Sequence, residues 1–422
     1  MNRNSPLLVL LSRVVVVLLS FLSAPILARA LGPDGRGETA AALAITSILP
    51  IVVGIGLPLV VRRRARNRDE LGAAVRRVRW LQVISVIPSL ALGWLATEVL
   101  LNSLDPLSKM VFLVSCALIP LSVLWVCDAN ILVADQRLGA YALVNVAPSV
   151  FFIAAVLIAW PFNALSVSFV VAVNAASNLA TLAVSSWLVR VPLRGNMEST
   201  RPLLKEGFSY SGSQIAEASS NKLDQAIALP LIGGTQAGYY AVAATLAMLP
   251  YAIGQAIGTA VYKQISQAET DAERIRLIAL SLRCSLVAGL FGAGAVAIVA
   301  PWGIPILFGE AFRPSIEPTL IALVGGVFLV VGYVASTILT ALGRGWLMTI
   351  GQVAGLMVGV GLFILLGPIY GAIGAALAAA VSRFLASVIS TASARPRLLD
   401  LIPRPKDVPM TARLLVTGKL PS

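Results

Sequence analysis

The chain has 422 residues, 58% of them hydrophobic and 12% charged, with a mean hydropathy of +0.88. That balance excludes a soluble globular enzyme, because apolar runs long enough to cross a bilayer recur from end to end. The formal net charge of +13 sits mostly in loops of one parity, so it bears on topology and anionic lipid headgroups and not on nucleic acid.

Histidine is absent, which removes the commonest metal ligand and the usual proton shuttle near neutral pH. Cys116, Cys127 and Cys284 lie inside apolar runs and have neither disulfide nor metal-ligand spacing. No metal or organic cofactor is expected, only H⁺ or Na⁺ as a coupling ion.

About twelve spans are expected. In the first half they cover 7–31, 38–61, 78–100, 107–133, 140–160 and 164–189. The first is longer than a signal-peptide apolar region and reads as a retained span. A polar stretch with two prolines, 190–206, reads as a cytoplasmic linker. The second half covers 208–232, 237–261, 277–300, 317–342, 346–367 and 371–392, and 394–422 is a basic cytoplasmic tail. The fold class is an all-α polytopic membrane protein. Its expected domains are an N-terminal six-helix lobe at 1–189 and a C-terminal six-helix lobe at 207–393, set around a central cavity.

Loop charge gives the orientation. After the second span come Arg62, Arg63, Arg64, Arg66, Arg68, Arg76, Arg77 and Arg79; loops of the same parity add Arg137, Arg190 and Arg344. The opposite loops, 102–105, 160–163, 233–236 and 367–368, are short and poor in base. Both termini are therefore expected to be cytoplasmic, in a multi-pass protein of the cell (inner, plasma) membrane. The arginine run has a second reading, that it gathers an anionic lipid-linked substrate at the inner mouth.

The halves resemble each other. Gly32 and Gly37 align with Gly233 and Gly238, and after a one-residue gap Pro50 and Gly54 align with Pro250 and Gly254. Both copies start inside, so the repeat is parallel, about an axis along the membrane normal. Prolines at 25, 50, 88, 120, 148, 230 and 250 each remove a helix hydrogen bond. Gly351, Gly355 and Gly359 form a stripe suited to close helix packing.

The expected seventh span, 208–232, differs from the rest. Gln214, Glu217, Asn221 and Asp224 follow i, i+3, i+7, i+10 and share one helix face, with Lys222 nearby. Ionisable groups at membrane depth cost a few kcal/mol or more and seldom face lipid. Two readings follow: a central hydrated cavity, or a helix buried in protein with its polar groups bonded to neighbours.

Several segments carry a family resemblance. They are ARALGPDGRG at 28–37, LDQAIALPLIGGTQAGYYAVA at 223–243, GIPILFGEAF at 303–312, and TALGRGWLMTIGQVAGL followed by GPIYGAIGAALAAAVS. In this order they cover nearly the whole chain. It resembles the bacterial polysaccharide and O-antigen flippases of the multidrug/oligosaccharidyl-lipid/polysaccharide exporter superfamily. The resemblance implies two lobes opening alternately to either side, with no enzymatic step. The implied substrate is a polyprenyl-pyrophosphate-linked oligosaccharide carried from the cytoplasmic to the outer leaflet. Glycosyltransferases and a glycan polymerase of the same pathway are the implied partners, beside membrane lipids.

A pyrophosphate crossing a bilayer needs positive charge in place of its hydration. Arg13 lies about two turns into the first span, and in related flippases basic residues of first-lobe helices line the cavity. It is the leading headgroup candidate, against snorkelling to the interface. Arg283 stands at similar depth with the same alternative. Lys222 is deeper and either meets substrate or pairs with Glu217 or Asp224. Asn221 and Gln214 complete the candidate substrate-binding set. Asp224, Glu217 and Asp128 are the candidate coupling carboxylates, with a paired structural role as the alternative for Asp128. Two rivals remain: a multidrug cation antiporter of the same superfamily, and a membrane glycan polymerase or ligase. The second usually carries a substantial outward-facing domain. No GxxxxGK[ST] phosphate loop occurs in the sequence.

Overall fold

The computed structural model describes residues 6–65, 67–192, 194–394, 404–405 and 407–417. Arg66 and most of the basic tail lie outside the described residues. Among those described, every regular element is a helix, as the composition requires.

Helix α1 (Pro6–Gly54) has 49 residues, about 70 Å of helix where a bilayer core needs about 30 Å. It is broken at Gly32, whose φ of 69° and ψ of −178° only glycine adopts without strain. The expected second span stops at Gly54 and not at residue 61. Ile55 and Gly56 take φ of 44° and 65° and turn the chain into a separate short helix, α2 (Leu57–Arg64).

The expected third span is bent by 42° between α3 (Arg68–Ile84) and α4 (Val86–Val99). Pro88 has no N–H to offer the carbonyl of Ile84, so the helix gives way at Ser85. Helix α5 (Pro106–Ala134) is capped by Asp105, which accepts the Ser108 N–H at 3.0 Å. The Ser108 donors hold the Asp105 carboxyl below the usual carboxylate range. Helices α6 (Leu138–Ala159) and α7 (Val167–Val189) follow.

Helix α8 (Thr200–Ala247) is broken at Gly233, with φ 77° and ψ 165°. Those angles nearly repeat those of Gly32, its counterpart in the aligned copy. After Pro250 the chain continues as α9 (Tyr251–Ser266), α10 (Asp271–Phe308), α11 (Ile316–Ala341), α12 (Gly345–Ser393) and α13 (Asp407–Thr417). Helix α12 is broken at Gly371. Its glycine stripe packs on its own second half: a Cβ at Gly355 or Gly359 would come within 2.6 Å of Ser382.

Among the described residues, eight helical stretches are long and apolar enough to cross a membrane, or nine if the bent pair is one span. This is a multi-pass membrane protein. Three of the stretches run to 44, 53 and 49 residues, and each contains one of the glycine breaks.

The chain forms two compact units, Met1–Gly238 and Tyr239–Ser422. In the first, Ala226 and Leu229 of α8 are buried with Ala41 and Ile45 of α1 and Phe112 of α5. The expected seventh span therefore shares a core with first-half helices, and the division falls at Gly238, beyond the linker at 190–206. The second unit is built on Ile257 and Val261 of α9, Leu280 of α10 and Ile338 of α11, with Leu414 of α13 added to the same cluster.

Candidate functional site

The polar stripe of α8 keeps its helical spacing. Glu217 is exposed, while Gln214, Asn221, Lys222 and Asp224 are half-buried. Gln214 Nε2 donates to the Tyr210 carbonyl at 3.3 Å. Asp224 Oδ1 accepts the next residue's N–H at 2.8 Å, and Lys222 and Asp224 are both engaged by further interactions.

Arg13 on α1 is also exposed, and its positive charge lies within electrostatic range of Glu217 on α8. Two expected site residues, one cationic and one acidic and 204 positions apart, thereby fall in one neighbourhood. Their neighbourhood is fixed from below. Ser12 is buried and bonds back to the Val9 carbonyl at 2.7 Å, and Asn145 of α6 donates to its hydroxyl at 3.3 Å. Asn174 reaches Thr46 at 3.4 Å and Asn178 accepts from Trp125 at 3.0 Å, so these amides serve contacts between helices.

Asp128 lies elsewhere. It is 3% exposed and accepts the Ser185 hydroxyl at 2.7 Å, with Arg79 as the nearby cation. Arg283, in the second unit, is buried, and its Nε lies 3.5 Å from Asp407 Oδ2 of α13. Sequence reading took the tail only as basic and missed this acid. The signal was present: Asp407, Met410, Thr411 and Leu414 have the i, i+3, i+4, i+7 spacing of a helix laying one face on protein.

The two aligned turns touch each other. Asp34 Oδ1 accepts the Thr235 hydroxyl at 2.6 Å. A Cβ at Gly37 would strike the Gly234 carbonyl and the Gly238 nitrogen, and one at Gly238 would strike the Pro33 carbonyl. In the repeat register Pro33 matches Gly234, Asp34 matches Thr235, and Gly37 matches Gly238. The contacts are reciprocal, as across a local two-fold axis.

At the other end of this unit a cavity of about 500 Å³ opens beside Leu59, Arg62, Arg63, Val133, Gln136 and Tyr210. Arg63 is tied to Glu206 at 2.9 Å, and Arg62 is exposed.

Residues 4–269, well over half the chain, match the family described as polysaccharide biosynthesis protein. The chain belongs to that family. A search of curated protein sequences gives no match. Among solved structures, it is similar to the lipid II flippase MurJ in an inward closed conformation. That TM-score is 0.78 at 14% identity, over 98% of this chain and 92% of the other. An inward-facing multidrug resistance MATE transporter of the MOP superfamily gives 0.64 at 18% identity, over 90% and 94%. The MATE multidrug transporter DinF-BH gives 0.64 at 14%, over 92% and 93%. At such identities these likenesses establish the fold, which this chain shares with those transporters.

Proposed function

We propose that the protein translocates a polyprenyl-pyrophosphate-linked oligosaccharide from the cytoplasmic to the outer leaflet by alternating access. The observation that carries this reading is that Arg13 lies within electrostatic range of Glu217, a member of the polar stripe of α8. A guanidinium near a carboxylate offers an exchange: an incoming pyrophosphate takes the arginine, and the acid it leaves takes a proton or Na⁺. Such an exchange would link headgroup binding to an ion gradient. Family membership supports a glycan as cargo. Glycosyltransferases upstream and a polymerase downstream fit as partners.

The test is a fluorescent lipid-linked oligosaccharide reconstituted with the protein in vesicles, with leaflet exchange followed by quenching from outside. Movement of the pyrophosphate-linked lipid supports the reading. Movement of an organic cation dye with no exchange of the lipid makes the protein an antiporter of drugs instead. In the same assay Asp224→Asn should keep substrate binding and lose dependence on the ion gradient. If uphill movement keeps its gradient dependence, Asp224 is structural.

The rival reading as a polymerase or ligase wants an outward domain. Here only 100–105 join α4 to α5, and 160–166 join α6 to α7. We further propose twelve crossings with both termini cytoplasmic: each of the three double-length stretches crosses twice, and the bent pair once. Cysteine at Asn163 should react with an impermeant thiol reagent added outside intact cells, and cysteine at Gln136 should not. The reverse pattern would sink the topology.

A further inference from the structure

The arginines from Arg62 to Arg79 read as topology signals or as substrate gatherers, yet most of them are engaged by the linker and the first turns of α8. Arg64 reaches Glu198 through Nε at 3.2 Å and through a terminal nitrogen at 2.9 Å, and Glu206 through the other terminal nitrogen at 3.1 Å. Arg63 holds the second oxygen of Glu206 at 2.9 Å. Arg76 donates to the Asn196 carbonyl at 2.8 Å, Arg77 to that of Glu198 at 2.7 Å and Arg79 to that of Val191 at 3.0 Å. The Glu198 N–H returns a bond to the Ala73 carbonyl at 3.2 Å. Residues 191–192 and 194–199 are therefore a strap sewn to α3 that delivers the chain into the base of α8, which carries Glu206.

Three features single out Arg64. Its side chain is 17% exposed and those of Glu198 and Glu206 are 20% and 16%, so solvent screens the cluster only in part. The Glu198 hydrogen bond, ahead of the opposing effect of burial, holds the Arg64 guanidinium above its ordinary range. Bridging two carboxylates with three nitrogens also needs the planar fork of arginine, which a lysine lacks.

The backbone beneath this cluster is strained. Ile55 is β-branched and has φ of 44°, and Gly56 follows at 65°. A Cβ on Gly56 would strike the Gly207 carbonyl, and one on Gly207 the carbonyl of Ile55. Strain held at one end of a short charged helix marks a place where two arrangements compete. Helix α2 can swing about 55–56 only if Arg63 and Arg64 leave the strap.

We propose that Arg64, clamped between Glu198 and Glu206, is the keystone of a cytoplasmic lock that pins α2 to the base of α8 and must release before the stripe is reached from inside. This rests on the stripe being the transport path.

The test uses the full-length protein with its three cysteines replaced by alanine and a reporter cysteine at Asn221, in inverted membrane vesicles. An impermeant maleimide is added to the cytoplasmic face. Arg64→Ala should raise the labelling rate about fivefold or more, the low end for coupled sites. Arg64→Lys should fall between. Glu198→Gln with Glu206→Gln should match Arg64→Ala, and combining all three should add little, since the residues act as one network. Should Arg64→Ala fail to reach the membrane, Glu198→Gln alone reads the same lock with a smaller perturbation. A flat labelling rate across every variant present at normal level overturns the lock. Labelling reports the chain's own opening and not its cargo. A lock that responds while the vesicle assay moves no glycan lipid overturns the cargo reading and leaves the lock standing.

Discussion

Arg13→Ala should abolish measurable translocation while the protein stays at its normal level in the membrane. The residue is exposed, so the truncation leaves no buried cavity and folding is spared. What it removes is a cation within electrostatic range of Glu217 and, in the proposed cycle, the one that meets the pyrophosphate. Losing a hydrogen bond between charged groups costs about 1.5–3 kcal/mol, so headgroup affinity should fall about tenfold or more. Arg13→Lys keeps the charge and loses the two-point grip, and should retain part of the rate. Glu217→Gln supplies the contrast: it frees Arg13 of its competitor, so lipid binding should tighten while gradient dependence weakens. Rate and binding are read in the vesicle assay and by titration with the lipid-linked pyrophosphate. Normal transport by the alanine variant would mean that Arg13 only snorkels to the interface.

Gly238→Val should strip the protein from the membrane or leave it unfolding well below the native temperature. The position sits where the two aligned turns meet, and a side chain there runs into the backbone carbonyl of Pro33. A backbone atom inside a helix pair cannot step aside as a flexible side chain does. Overpacking of this kind costs about 1–3 kcal/mol, and parting the turns would add the loss of the Asp34–Thr235 bond. Gly212 is the matched control. It lies in the same helix with open space around it, so Gly212→Ala should be neutral or stabilise by up to about 1 kcal/mol. Detergent-solubilised thermal unfolding and membrane level measure both. A Gly238→Val protein as stable as the native one would mean that the turns do not need their close approach.

Much of the fold is legible because lipid leaves the backbone few choices. With no water to satisfy N–H and C=O groups, long apolar runs must be helices, and loop arginines mark their inner side. The seventh stretch stood out for the same reason, since Glu217, Lys222 and Asp224 are expensive where they lie. The motifs around Gly32 and Gly233 gave the family before any geometry was known. Helix breaks were harder to read. Pro88 showed its bend, whereas the turn at Ile55 could not be foreseen, because nothing in the sequence obliges a β-branched residue to take a positive φ.

Pairing lay beyond the sequence altogether. Each charge was visible, but its partner is chosen by which helices pack, and that is a property of the whole chain. Depth leaves Arg283 as a headgroup candidate or a snorkelling arginine; folding sets it beside Asp407, 124 positions on. Arg64 read as one more topology arginine; folding sets it between Glu198 and Glu206. The sequence by itself determined the helical class, the membrane setting, the family and the polar face of α8, because hydrophobicity and helical period act locally. Only the tertiary structure decided that Arg13 comes within electrostatic range of Glu217, that the two glycine turns clasp, and that the linker is sewn to α3. Those contacts depend on close approach between segments far apart in the chain, and no local rule encodes it.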